Sequence, residues 1–299
     1  ERLLYLRNLE EKKEQVINSI EEQGKLREEL KAQILAAETM VVVDDLYRPY
    51  RPKRRTRATI AKEKGLEPLA EILRAQATTR TIEEEATAFV DAEKGVESVQ
   101  DAIDGAKDIL AEVYADDADY RTKLRAMTKE SGSLVAKAKD EEADSVYEMY
   151  YDFSEPIKKL VGHRILAINR GEAEKFLTVK IEAPRQEILL WLVKQIIGNM
   201  KHDSASYLYE AITDSYDRLI APSIEREIRN ELTEKAEEGA IGVFGLLAVL
   251  AICLTPFITM AVQYLLYKLA AFLAGTVTEE PLAELIDALG SAFGLMLGM

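Results

Sequence analysis

Apolar residues recur at mostly three- and four-residue spacing from the start of the chain, at Leu3, Leu4, Leu6, Leu9, Val16, Ile17 and Ile20, a period that predicts an amphipathic helix. Gln23-Gly24 breaks the pattern and Leu26–Ala37 resumes it, so residues 1–37 read as two helices. From Arg48 to Thr59 two prolines and many cations interrupt the periodicity, which predicts a loop. Residues 60–130 return to short helical segments punctuated by Gly65, Pro68, Gly95 and Gly105. Acids gather at segment starts, as in Thr81-Ile82-Glu83-Glu84-Glu85, where they complement the helix dipole. Ser154-Glu155-Pro156 reads as a helix start, with Ser154 as cap and Pro156 in the first turn, and that helix should run to Asn169–Arg170 and stop at Gly171. Phe176–Ile181 is the one plausible strand. Helices are expected again over Arg185–Gly198 and Ser204–Glu238.

At Gly239 the pattern changes. Between Gly239 and Val277 the one charged residue is Lys268. Gly239–Leu254 and Phe257–Val277 are apolar around their whole circumference and flank Thr255-Pro256. Each approaches the roughly 20 residues that span a bilayer. They are expected to form two spans or a hairpin, followed by a mildly apolar helix over residues 279–298. The expected fold class is therefore all-α: an elongated multi-helical body over residues 1–238 with one short strand, then two or three hydrophobic, membrane-type helices over residues 239–299.

Composition agrees with helix, since the 299 residues contain 8 Pro and 15 Gly and are 47% hydrophobic and 31% charged. The net charge of −14 argues against nucleic-acid binding through the overall field, so any such contact must come from a local basic patch. One cysteine, Cys253, excludes an intrachain disulfide, and with two histidines a His/Cys metal site has too few ligands. No cofactor is expected. The first residue is not Met and no signal peptide is visible, so the chain is expected to be a fragment of something longer.

The sharpest local feature is Tyr47-Arg48-Pro49-Tyr50-Arg51-Pro52-Lys53-Arg54-Arg55-Thr56-Arg57, with six cations in eleven residues, interleaved with two tyrosines and two prolines. Arginine forks suit phosphate oxygens, and the tyrosines can stack on bases or anchor the loop to helices. The competing reading is a solvated loop that pairs with acids of its own surface, such as Asp44, Asp45 or Glu63. A second spot is His163-Arg164 followed by Asn169-Arg170-Gly171, where the arginines could meet a phosphate. A histidine backed by Ile165, Leu166 and Ile168 reads more simply as a structural hydrogen-bonder. Asp116-Asp117-Ala118-Asp119 and Asp140-Glu141-Glu142 lack the glycine turn and closing glutamate of a calcium loop and read as solvated helix starts. Trp191, among Ile188, Leu189, Leu190 and Leu192, reads as core, and Cys253 as a small hydrophobe.

The stretch DLYRPYRPKRRTRATIAKEKGLEPLA (Asp45–Ala70) resembles a motif of Tex-type transcription accessory proteins. The resemblance continues upstream through LRNLEEKKEQVINSIEEQGKL and downstream through YYDFSEPIKKLVGHRILAINRGEAEKFLTVKI and LIAPSIEREIRNELTEKAEEGAI. Two places depart from it: Met40-Val41-Val42-Val43 replaces a polar helical stretch, and Gly162 stands where Ser is usual. The resemblance implies an elongated helical protein, related to a eukaryotic transcription elongation factor, that binds RNA or DNA and works with the transcription machinery in the cytoplasm. The family's nuclease-like YqgF domain, helix-hairpin-helix pair and S1 domain would lie beyond this chain, so no enzyme activity is expected. The candidate nucleic-acid-contacting residues, from the basic loop and from the second spot, are Arg48, Arg51, Lys53, Arg54, Arg55, Arg57, Arg164 and Arg170. The tail, AICLTPFITMAVQYLLYKLAAFLAGTV and onward, instead resembles the membrane segment of the stage III sporulation AE family. That resemblance implies a membrane partner for residues 240–277 and makes the whole chain read as a chimeric fusion at Gly239, with a membrane-anchored sporulation protein as the alternative function.

Overall fold

The computed structural model describes residues 2–51, 55–277 and 280–297. It divides the chain into two compact units, Glu1–Leu232 and Thr233–Met299. The first unit opens with α1 (Arg2–Glu22), α2 (Glu28–Ala36) and α3 (Met40–Tyr47). Gly24, at φ +65°, ends α1 as the sequence break predicts. These three helices share one small core of Leu9, Val16, Ile20, Ile34 and Val43. Of the residues that depart from the family pattern, Val43 is fully buried in it and Met40 and Val42 pack against it, while Val41 is exposed.

The main core is built by α4 (Arg57–Glu63), α5 (Glu67–Ala75), α6 (Ile82–Thr87), α7 (Val99–Asp116), α8 (Ala118–Ser131), α10 (Arg185–Ile196), α11 (Ser204–Asp214) and the start of α12 (Ala221–Val277). α7 buries Ala102, Ile103, Ala106, Ile109 and Leu110 at helical spacing. Ser98, Asp101 and their backbone amides form its capping box. Trp191 packs at the edge of this core, its ring 5.7 Å from Tyr120 in an edge-to-face arrangement. Asp117 caps α8 by accepting from the Tyr120 amide, so that acid cluster is a helix start as expected.

Between α8 and α10 the structure departs from the sequence reading. Three antiparallel strands stand where one was expected: β1 (Ser133–Ala138), β2 (Asp152–Pro156) and β3 (Leu177–Glu182), in the order β2-β1-β3. Ser154, expected to cap a helix, pairs with Val135, and Pro156 closes β2 opposite Ser133. α9 (Gly162–Ala173) begins only after a further 3₁₀ turn at Ile157–Lys159. It also runs through Gly171. A Cβ there would meet Leu177 Cδ1 at 2.7 Å, so glycine is what lets α9 approach β3. The outer edge of β3 is closed by α12: Glu225 Oε1 accepts from the Ile181 amide at 3.0 Å, and Arg229 reaches the Val179 carbonyl. These side chains substitute for a neighbouring strand.

In the second unit, α12 continues through Pro256 without a break, and α13 (Glu280–Leu297) follows. The expected pair of spans flanking Pro256 is therefore a single helix. Among the described residues one helix is long and apolar enough to cross a membrane, not two or three. Thr255 and Thr259 return their hydroxyls to the carbonyls of Ala251 and Thr255, and so stay satisfied within an apolar stretch. Lys268 Nζ donates to Asp287 Oδ1 at 2.6 Å and lies 3.3 Å from Ser291 Oγ, tying α12 to α13. Gly290 permits the close approach, since a Cβ there would sit 3.1 Å from Tyr267 Cβ.

Candidate nucleic-acid interface

The basic loop begins one turn after a buried charge. Asp45, on α3, is 3% exposed. It accepts from Arg121 Nε at 2.6 Å and from Arg125 Nη2 at 2.7 Å, both on α8. Arg125 also donates to Glu227 Oε2 at 2.7 Å, on α12. Arg121, fully buried, donates from Nη2 to Ser223 Oγ at 3.0 Å and to Glu227, and Ser223 passes its own proton toward Glu227 Oε1. Two guanidiniums and two carboxylates thus join α3, α8 and the first turns of α12. Burial pushes the Glu227 carboxyl up, but the hydrogen bond from Arg125 and the charges of Arg121 and Arg125 outweigh it and leave the pKa below its ordinary value. The Arg125 guanidinium is held above its ordinary value, because Asp45 and Glu227 more than offset its burial.

Both ends of the loop are fastened. Tyr47 Oη shares a hydrogen bond with Ser19 Oγ at 2.8 Å, and Gln23 donates to the Tyr50 carbonyl at 2.9 Å. Tyr47 therefore anchors the loop to α1 through its hydroxyl, and Tyr50 is held through its backbone carbonyl by the residue that follows α1. Arg48–Tyr50 form a 3₁₀ turn rather than open loop. At the other end Thr56 caps α4 and donates to Glu112 Oε2 on α7 at 2.9 Å.

The eight cations singled out from the sequence have different surroundings. Arg48 is half-buried and pairs with Asp116 at 3.2 Å, and burial followed by the charge of Arg121 lowers its pKa. Arg51 is exposed, pairs with Asp44 at 3.0 Å and lies over the Tyr47 ring. Arg55, also exposed, pairs with Glu63 at 3.0 Å. Lys53 and Arg54 lie outside the described residues. Arg57 is exposed; burial raises the pKa of the nearby Asp108 carboxyl, and the charges of Arg218 and Arg57 only partly offset that rise. Arg164 makes a two-oxygen contact with Glu155 on β2, and Arg170 pairs at 3.7 Å with Glu174, the residue just past the end of its helix. Asp44 and Glu63 thus take the self-pairing role the sequence suggested, whereas Asp45 turns inward to Arg121 and Arg125. Exposed pairs of this kind contribute roughly 0–1 kcal/mol each, so a phosphate can compete for the arginine. His163 is exposed, and no hydrogen bond reaches its ring among the described residues, so the structural role expected of it is not seen.

Arg48, Arg51 and Arg57 line one cavity of about 670 Å³, together with Arg218 and Arg226. Arg164 and Arg170 are not part of its lining. Sequence reasoning missed Arg218 and Arg226, which sit among ordinary helix-surface charges, and missed Arg121 and Arg125. For the latter pair a signal existed: two arginines at i,i+4 repel on an exposed helix and so call for acids brought from elsewhere.

Residues 77–244 match the family model described as Tex central region-like, and residues 238–299 match that of stage III sporulation protein AE. The chain is 46% identical over 247 residues to the uncharacterized protein YdcI of Bacillus subtilis, covering 82% of this chain and 34% of that protein. It is 36% identical over 252 residues to the transcriptional accessory protein Tex of Neisseria gonorrhoeae, covering 82% and 33%. It is 30% identical over 255 residues to S1 RNA-binding domain-containing protein 1 of Homo sapiens, covering 80% and 25%. The chain spans about a third of the length of the bacterial relatives and a quarter of the human one.

Asp45→Ala should leave two buried guanidiniums short of an acceptor. Removing one partner of a buried ion pair costs about 3–5 kcal/mol. Urea unfolding followed by circular dichroism should show a loss of that size, and a loss below about 1 kcal/mol would mean that the network is not holding the three helices.

Proposed function

We infer the function from one premise, that this chain belongs to the Tex central region-like family. Residues 1–238 are a non-catalytic, cytoplasmic part of a transcription accessory factor, which contacts RNA or DNA and works alongside the transcription machinery. The observation that carries this proposal is the Arg48–Arg57 segment. Its six cations are supplied by a stretch fastened at both ends, and Arg51 and Arg55 stand on the surface in weak pairs. An anchored loop of arginines loses little further entropy on meeting a phosphate chain, and in a chain of net charge −14 a local patch is what can attract one. The names of two relatives, one a transcriptional accessory protein and one containing an S1 RNA-binding domain, are in keeping with this role. Arg164 and Arg170 are kept as secondary candidates only, because their surroundings are separate from the loop cavity.

A second proposal concerns residues 239–299. Leu246, Ile252 and Phe272 are 61%, 73% and 71% exposed, and exposed leucines and isoleucines continue around α12 between them. A continuous apolar surface of this kind suits lipid better than water. Together with the match to the sporulation family, it supports a membrane-anchored protein in which the tail is the anchor.

Two measurements test these proposals. Replacing Arg51, Lys53, Arg54 and Arg55 together by Ala should weaken binding to a single-stranded oligonucleotide at low salt. The log–log salt slope should fall by about one unit for each phosphate that the variant no longer neutralises. Unchanged affinity and slope would make the loop a solvated surface. In flotation with phospholipid vesicles, the whole chain should rise with the lipid and a chain ending at Glu238 should stay in the aqueous fraction. Recovery of the whole chain from the aqueous fraction would remove the anchor.

A further inference from the structure

The cavity beside the basic loop differs from the loop itself in how its charges are matched. Of its five arginines, Arg48 is committed to Asp116, Arg51 to Asp44, and Arg218 to Asp214 and Asp108. Asp45 and Glu227, which also line it, are neutralised from behind by Arg121 and Arg125. Arg57 and Arg226 are different. Both are exposed, and neither has a carboxylate partner within ion-pair distance among the described residues; Arg226 donates from Nε to the Pro222 carbonyl at 3.2 Å, one turn back on its own helix. They come from different helices, α4 and α12, and line the same space. Two unmatched guanidiniums in a cavity whose other cations are matched leave donors for an anion with several oxygens.

A second observation points to the same place. The chain between α11 and α12 winds as a π-helix over Ser215–Ile220, and two residues of that segment, Arg218 and Leu219, line the cavity. The segment is fastened by Ser215 Oγ, which donates to the Ala111 carbonyl at 2.7 Å in the buried interior. Such wide turns cost hydrogen-bond geometry and frequently occur at functional sites. Within this one, Arg218 reaches Asp108 and Asp214. Asp108 is an opposing charge, with Glu112, which also lines the cavity and accepts from the Thr56 hydroxyl; burial raises the Asp108 carboxyl pKa more than Arg218 and Arg57 lower it.

We propose that this cavity binds a phosphate ester, with Arg57 and Arg226 donating to its oxygens and Asp108 opposing it. The volume of about 670 Å³ lies in the range that holds a small ligand, enough for one nucleotide unit. The phosphate is carried by a single strand passing the Arg48–Arg57 segment or by a free nucleoside monophosphate. The strand source rests on the nucleic-acid role proposed above, and the monophosphate source does not.

The test uses the full chain, a labelled single-stranded oligonucleotide of about twelve nucleotides and, separately, adenosine monophosphate. Arg226→Gln, which lies outside the loop, should weaken oligonucleotide binding about tenfold at about 50 mM salt and remove about one unit of salt slope. Asp108→Asn should strengthen binding about threefold, a gain that misfolding cannot produce. If the parent binds the strand and the four-fold loop variant weakens it while Arg226→Gln and Asp108→Asn match the parent, the loop stands and the cavity site is overturned. When the parent binds no strand, the nucleic-acid role fails, and the monophosphate decides. Binding that Arg226→Gln abolishes and Asp108→Asn strengthens supports the cavity, and no binding overturns it.

Discussion

Burying two guanidiniums requires two carboxylates to come to them, and in this molecule those carboxylates come from elements far apart in sequence. Asp45 arrives on α3 and Glu227 on α12, and both meet Arg121 and Arg125 on α8. An apolar contact tolerates a rotation or a slide of its partner, whereas a charge taken out of water does not tolerate losing its counter-ion. The network therefore fixes the end of α3, and with it the position of Arg48, three residues on. That arginine shares the Ser223 hydroxyl with Arg121, at 3.5 Å and 3.0 Å. Three side chains of that network, Asp45, Ser223 and Glu227, also line the cavity.

Charge matching then separates structure from candidate function. Arginines with a buried or half-buried acid, such as Arg121, Arg125 and Arg48, hold helices together. Those with exposed acids, Arg51 and Arg55, are held loosely enough to exchange partners. Arg57 and Arg226 have no acid within ion-pair distance among the described residues. An acidic chain can present such a gradient because its acids are used locally, each screening a particular cation, and the field outside is set by what is left over. In the tail the same rule acts on a single pair: Lys268, alone in an apolar run, is met by Asp287 from α13.

Much of this was legible from local pattern. The two opening helices and the glycine between them follow from spacing alone, and a loop rich in tyrosine and arginine follows from its composition, though its fastening to Ser19, Gln23 and Glu112 does not. Nearness in sequence offers Asp44, Asp45 and Glu63 as its partners; Asp44 and Glu63 pair with it, and Asp45 turns inward instead. What escaped depends on residues distant in sequence. Ser154-Glu155-Pro156 has the form of a helix start, and only the presence of β1 as a partner makes it a strand. Pro256 reads as a break, yet a helix that loses one hydrogen bond there continues when its apolar side chains have no better arrangement. Arg226 looks like any charge on a helix surface until α4 places Arg57 beside the same cavity.

The dependence of the loop on the buried network can be measured through binding. Asp45→Asn removes a buried negative charge that is paired with Arg121 and Arg125, so it makes the net charge of the chain more favourable to a phosphate chain overall. Oligonucleotide affinity should be determined where circular dichroism shows the variant folded. If the network positions the loop, affinity falls despite the more favourable net charge. If affinity stays constant or rises, the loop acts through its charge alone, and the buried ion pairs have no part in presenting it.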